Sequence, residues 1–127
     1  MLDLKYKEPK IEIFHPLLIH YSPEAAVLYG YLKNVYNDSY NNIKFCGENG
    51  LVLKIKRFEI EEKTGLSIGQ QIDAEKDLIG AGLVNGLELR GQLIEYAVFP
   101  KNEDRLRRFV NSYKHEWRFY KGGYNGS

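Results

Sequence analysis

The run Ile60-Glu-Glu-Lys-Thr-Gly-Leu-Ser67 constrains this chain more than any other segment. Gly65 is placed to stop one helix, and Ser67 to cap the next. The next helix is expected over about Ile68 to Ala81, with Leu78 on its apolar side and Gly82 as its stop. Leu83-Val84 then leaves as a strand. Two helices set at a steep angle need a tight turn with glycine, and a buried Leu66 would pin that turn. A glycine at the end of the second helix lets the chain reverse into a hairpin. Leu83–Leu89 and Leu93–Phe99 supply its two arms, separated by Arg90-Gly91-Gln92.

The remaining segments fit around this unit. Residues 1–10 mix Lys, Glu and Pro9 and read as an N-terminal arm. Ile11 to Phe14 alternates as a short strand or extended lead-in, and His15-Pro16 is expected to break it. Ser22-Pro23-Glu24 carries a cap, a residue suited to the first helical position and an acid for the positive helix end. The helix it starts ends near Asn37. Glu48-Asn49-Gly50 is a turn, and Leu51 to Ile55 a strand. A short helix follows over about Arg57 to Thr64, with Phe58 and Ile60 as its apolar contacts. After Pro100, Asn102-Glu103-Asp104 is expected to cap a last helix. The organisation is therefore a domain over 11–100, an amphipathic helix over 101–121 and a disordered tail over 122–127.

Composition excludes several function classes. The 127 residues suit one domain, and 43% hydrophobic with 28% charged is ordinary for a globular chain. The single Cys46 permits no internal disulfide and no multi-cysteine metal site. His15 and His20 lack a carboxylate or third ligand at metal spacing. Ser, His and Asp form no nucleophile elbow, and Gly80-Ala-Gly82 follows a helix rather than a strand. The expectation is a protein without enzymatic activity, cofactor or metal. No apolar h-region or membrane-length stretch is present, so a cytoplasmic setting is expected.

Tyr21-Ser-Pro-Glu-Ala-Ala-Val-Leu-Tyr-Gly-Tyr-Leu32 resembles the first helix of the winged-helix N-terminal domain of plasmid and phage replication initiators and replisome organisers of low-GC bacteria. Glu48-Asn-Gly-Leu-Val-Leu-Lys-Ile55 resembles their acidic-Asn-Gly turn and following strand. The helices and exit strand of residues 60–84 continue the match, which spans roughly residues 11–99. The resemblance implies an α+β winged helix-turn-helix, a three-helix core with a β-hairpin wing, here followed by a C-terminal helix. It also implies origin DNA binding through the third helix and the wing.

A helical wheel of that third helix buries Ile68, Ile72, Leu78 and Ile79 and exposes Gly69, Gln70, Asp73, Lys76, Asp77 and Gly80. Glu75 falls within the apolar stripe, and Gln71 lies towards the buried side. Gln70 can read an adenine edge, and an aspartate can accept from cytosine N4. The expected contacts to double-stranded DNA are Lys54, Lys56, Arg57, Ser67, Gly69, Gln70, Asp73, Lys76, Arg90, Arg105 and Arg108.

Leu106, Phe109, Val110, Tyr113, Trp117 and Tyr120 form a stripe with seven-residue spacing. It is expected as a homodimer seam, with burial in the chain's own core as the other reading. Charge leaves a second function open. Residues 1–100 carry 11 Lys+Arg against 14 Asp+Glu, and residues 101–127 carry 7 against 3. An acidic body with a basic last segment fits DNA binding through a small patch, in replication initiation or transcriptional control. It also fits a protein-interaction module, either a replisome adaptor or an inhibitor of a host protein, with little DNA binding.

Overall fold

Ser22 and Pro23 start a helix. The Ala25 N–H donates to Ser22 Oγ at 3.0 Å, and the helix runs Pro23–Tyr40. In this computed structural model, residues 10–40, 46–47, 50–88 and 92–109 are described. The elements, in chain order, are α1 (His15–His20), α2 (Pro23–Tyr40), β1 (Cys46–Gly47), β2 (Gly50–Lys56), α3 (Arg57–Thr64), α4 (Ile68–Gly80), β3 (Val84–Glu88) and β4 (Leu93–Val98). A 3-10 turn, Pro100–Asn102, leads into α5, helical over the described residues 103–109. The fold is α+β.

The sheet order is β1-β2-β4-β3, antiparallel throughout. The expected hairpin forms, with Val84 opposite Val98 and Gly86 opposite Tyr96. Its second arm also pairs with β2, where Leu53 faces Tyr96 and Ile55 faces Ile94. Side chains alternate across a strand, so Ile94, Tyr96 and Val98 of β4 join Leu53 and Ile55 of β2 on the buried face. Lys54 and Lys56 point to the other face, with Lys54 opposite Glu95.

α2 is the central helix. Ala25, Ala26, Leu28, Tyr29, Tyr31 and Leu32 are all buried. A helix apolar on most of its circumference must be enclosed by neighbours. Gly30 permits one of those approaches: a Cβ there would lie 2.5 Å from both Glu12 O and Ile11 Cγ2. The extended segment before α1 therefore crosses α2 at this glycine.

Four expectations are corrected. His15-Pro16 opens α1 rather than breaking the chain, because a proline in the first turn of a helix forfeits no intrahelical hydrogen bond. Phe58 is 53% exposed, and Arg57 takes the buried place beside Ile60 on α3. On α4, Ile68, Ile72 and Ile79 are 38%, 37% and 47% exposed, while Gln71, Ala74 and Leu78 are buried. Glu103 lies within α5 as a buried residue and does not act as an exposed cap. It accepts from the Tyr29 hydroxyl and pairs with Lys33 at 2.8 Å, fastening α5 to α2. Of the apolar stripe, Leu106 is core and Phe109 is 53% exposed, edge-on to His20. Val110, Tyr113, Trp117 and Tyr120 lie outside the described residues, as do the arm over 1–9 and the tail.

Candidate nucleic-acid interface

The turn between α3 and α4 is built from four consecutive residues. Thr64 Oγ1 donates to Ile60 O at 2.6 Å and accepts from the Leu66 N–H at 3.1 Å. Gly65 has φ +78°, the left-handed conformation in which glycine carries no Cβ penalty, and its N–H closes on Glu61 O at 2.8 Å. Leu66 is buried beneath the turn. Ser67 then starts α4 with a reciprocal cap. The Gln70 N–H donates to Ser67 Oγ at 3.2 Å, and the Ser67 N–H donates to Gln70 Oε1 at 2.9 Å. The Gln70 carbonyl expected to read a base thus has a structural partner on its own helix.

Below α4 lies a polar core. Arg57 Nη1 donates to Glu75 Oε1 at 2.8 Å and to Gln71 Oε1 at 3.3 Å. Gln71 Nε2 donates to Arg57 O and Leu66 O, and the Tyr96 hydroxyl donates to Glu75 Oε1 at 3.0 Å. Three elements, α3, α4 and β4, are locked together by these groups. Arg57, expected to touch DNA, is only 3% exposed, so its guanidinium serves this core and not a phosphate. Glu75 interrupts the apolar stripe of α4 because its carboxylate neutralises that arginine. Burial of a cation is costly unless it is paired and hydrogen-bonded.

The outward surface of α4 follows from that anchor. At about 3.6 residues per turn, Gly69, Ile72, Asp73, Lys76 and Gly80 fall opposite the buried Gln71, Ala74 and Leu78. All five are exposed, as are Ser67 and Gln70 at the helix start. Asp77 does not share this face. It is half-buried and accepts from Ser22 Oγ at 2.9 Å, which ties α4 to the start of α2. Burial and the Asp77 charge together push the nearby Tyr21 hydroxyl above its ordinary pKa.

The other expected contacts are dispersed. Lys54 and Lys56 are exposed on β2, with the Lys56 ammonium 5.8 Å from the Phe58 ring centroid. Arg105 and Arg108 are exposed on α5. That helix is tied to α2 through Glu103, and to the residue just before α1 through Arg107, which lies 5.0 Å over the Phe14 ring. Arg90 lies outside the described residues. Sequence reasoning overlooked the exposed isoleucines of α4, because it took every large apolar residue of the helix as buried. The signal available was the placement of Gln71 and Glu75 within the apolar stripe, which a purely apolar inner face does not explain. Among the described residues, no cluster of His, Cys, Asp and Glu could hold a metal ion, and no helix is long and apolar enough to cross a membrane.

No protein-family model and no curated protein matches the chain. Two solved structures share its fold. One is a Rep–DNA complex, 18% identical, covering 79% of this chain and 84% of that chain with a TM-score of 0.54. The other is the N-terminal domain of a DNA binding protein, 17% identical, covering 88% of this chain and 95% of that chain, also with a TM-score of 0.54.

Proposed function

We propose that this chain is a non-enzymatic, cytoplasmic DNA-binding protein of phage or plasmid type, acting in replication initiation or transcriptional control. In this reading α3, α4 and the β3–β4 hairpin form a winged helix-turn-helix, and α4 enters the major groove of duplex DNA. The observation that carries the reading is the outward face of α4. It presents Gly69, Ile72, Asp73 and Lys76 to solvent, while a buried ion pair and a reciprocal cap fix the helix beneath them. Fold likeness to a Rep protein solved with DNA supports it. Lys54, Lys56, Arg90, Arg105 and Arg108 would supply phosphate contacts, and Ser67 and Gln70 would approach at the start of the helix.

Binding to duplex DNA across a salt series tests the reading. The DNA function predicts an affinity that falls with salt, with a log–log slope of about −0.9 per phosphate contact. Absence of binding at low salt rejects it. A second reading, a module that docks on another protein, is favoured by one feature: Glu59, Glu61 and Glu62 are all exposed on α3, with Glu59 and Glu62 near Tyr31 of α2. A basic protein partner would fit such a surface. The remainder of the stripe, from Phe109 to Tyr120, would form a homodimer seam, with the exposed Phe109 at its start. Sedimentation mass before and after Phe109→Arg checks this.

A further inference from the structure

Ile72 sits at the edge of the outward face of α4, with Lys76 one turn on from it, and Lys76 is in turn one turn on from Asp73. Ile68, one turn earlier, extends the apolar surface towards the helix start. Both isoleucines are more than a third exposed, although Ala74 and Leu78 on the same helix are almost wholly buried. A glycine lies at each end of this face, at Gly69 and Gly80, and neither has another atom within 4 Å of where a Cβ would stand. No side chain projects at these two positions, so a partner can come close to the helix backbone there.

The chemistry of this face is an apolar branched side chain, an acceptor and a cationic donor in adjacent positions. Among base pairs viewed from the major groove, only those with thymine present an apolar group, the C5 methyl. A T·A pair also shows the thymine O4 acceptor and the adenine N6 donor. Lys76 matches the first and Asp73 the second. A G·C pair offers acceptors and a donor but nothing apolar, so Ile72 would cover polar edges without satisfying them. An aspartate on a helix facing phosphates is repelled by them, and a base donor is the compensation available in the groove.

Resting on the DNA-binding reading, we infer that α4 reads A·T pairs through thymine methyl groups, with Ile72 as the methyl-contacting residue, Ile68 extending that contact, and Asp73 and Lys76 reading the polar edge of the same pair.

The test uses the full chain and a pool of random-sequence duplexes, from which retained molecules are recovered and sequenced. The recovered duplex is then rebuilt with uracil in place of thymine, one position at a time. Uracil keeps every hydrogen-bonding group and lacks only the methyl. At one or two positions the replacement should weaken binding about threefold to fourfold, the effect of exposing one buried methyl group. The Ile72→Ala protein should bind the thymine and uracil duplexes equally, and its thermal melt shows whether the fold is kept. Ile72→Val should keep most of the difference. Enriched binding with no uracil effect at any position overturns the inference and leaves the DNA reading standing. Discrimination that survives unchanged in a folded Ile72→Ala protein overturns the assignment to Ile72. Retention of no duplex at low salt removes the DNA reading and this inference with it.

Discussion

Arg57 and Glu75 meet at 2.8 Å with side chains 3% and 12% exposed, and this pair sets the position of α4 against the sheet. Tyr96 of β4 donates to the same carboxylate oxygen, so one acidic group is shared between a helix and a strand.

Glu75→Ala should therefore be among the most damaging single changes in the chain. It removes the carboxylate that meets the buried Arg57 guanidinium at 2.8 Å and accepts from the Tyr96 hydroxyl at 3.0 Å. A loss of about 3 kcal/mol or more is expected in urea unfolding. Replacing both members, Arg57→Met with Glu75→Met, should cost less than the sum of the single changes, because no charge is then left unpaired. Additive losses would show that the two groups act independently.

Gly30→Ala and Gly69→Ala should move stability in opposite directions. Alanine is favoured over glycine within a helix by up to about 1 kcal/mol. At Gly69 the new methyl meets nothing within 4 Å, so that gain should appear as a higher midpoint of thermal unfolding. At Gly30 it would stand 2.5 Å from the backbone oxygen of Glu12, which cannot swing aside as a side chain would. The segment across α2 must shift, at a cost of about 1–3 kcal/mol.

Much of the unit around the turn was legible in the sequence. Gly65 and Ser67 stop and start their helices as their residue types require, and Leu66 is buried between them. The hairpin pairs in the expected place. What was not legible depended on long-range partners. Nothing local to Arg57 shows that Glu75, eighteen positions away, will draw it inwards. Once Arg57, Gln71 and Glu75 occupy the inner side of α4, Ile68, Ile72 and Ile79 are displaced outwards, against their hydrophobicity. The short α1 was hidden for a different reason: Pro16 reads as a breaker unless it is known to lie in a first turn. The cations of the candidate contact set outside α4 follow from charge and position in the chain, which cannot separate a buried arginine from exposed lysines.

Ser67→Ala should cost about 1 kcal/mol, since the hydroxyl accepts the Gln70 N–H. Gln70 Oε1 keeps its bond from the backbone N–H of residue 67, which alanine also carries, so half of the reciprocal cap survives. Urea unfolding checks the value, and a loss near zero would show that the hydroxyl adds nothing to the cap.

Stability should fall at alkaline pH through Tyr29. Burial first, and then its hydrogen bond to Glu103, hold this phenol protonated well above the ordinary value of 10.0. In the unfolded chain the same phenol ionises near that ordinary value. Above it the folded state holds more protons than the unfolded state, so stability present below pH 10 is lost as pH rises further. Tyr29→Phe should flatten this decline between pH 9 and 11 in urea unfolding, while lowering stability at neutral pH. A decline of unchanged steepness would assign it to other groups.

The β2–β4 ladder joins the strand that precedes α3 to the strand that follows the hairpin turn. Lys56 pairs with Leu93, so α3, α4 and β3 lie, in chain order, between the two strands of that seam, and α4 is also tied to α2 through Asp77 and Ser22. The helices α3 and α4 can each form early from local contacts, whereas the seam must wait for distant strands to find each other, with the loop-closure entropy already lost. The seam is therefore expected to be the slow step of assembly. Mutations along it should act on the folding rate, and mutations in the α3–α4 turn mainly on the rate of unfolding.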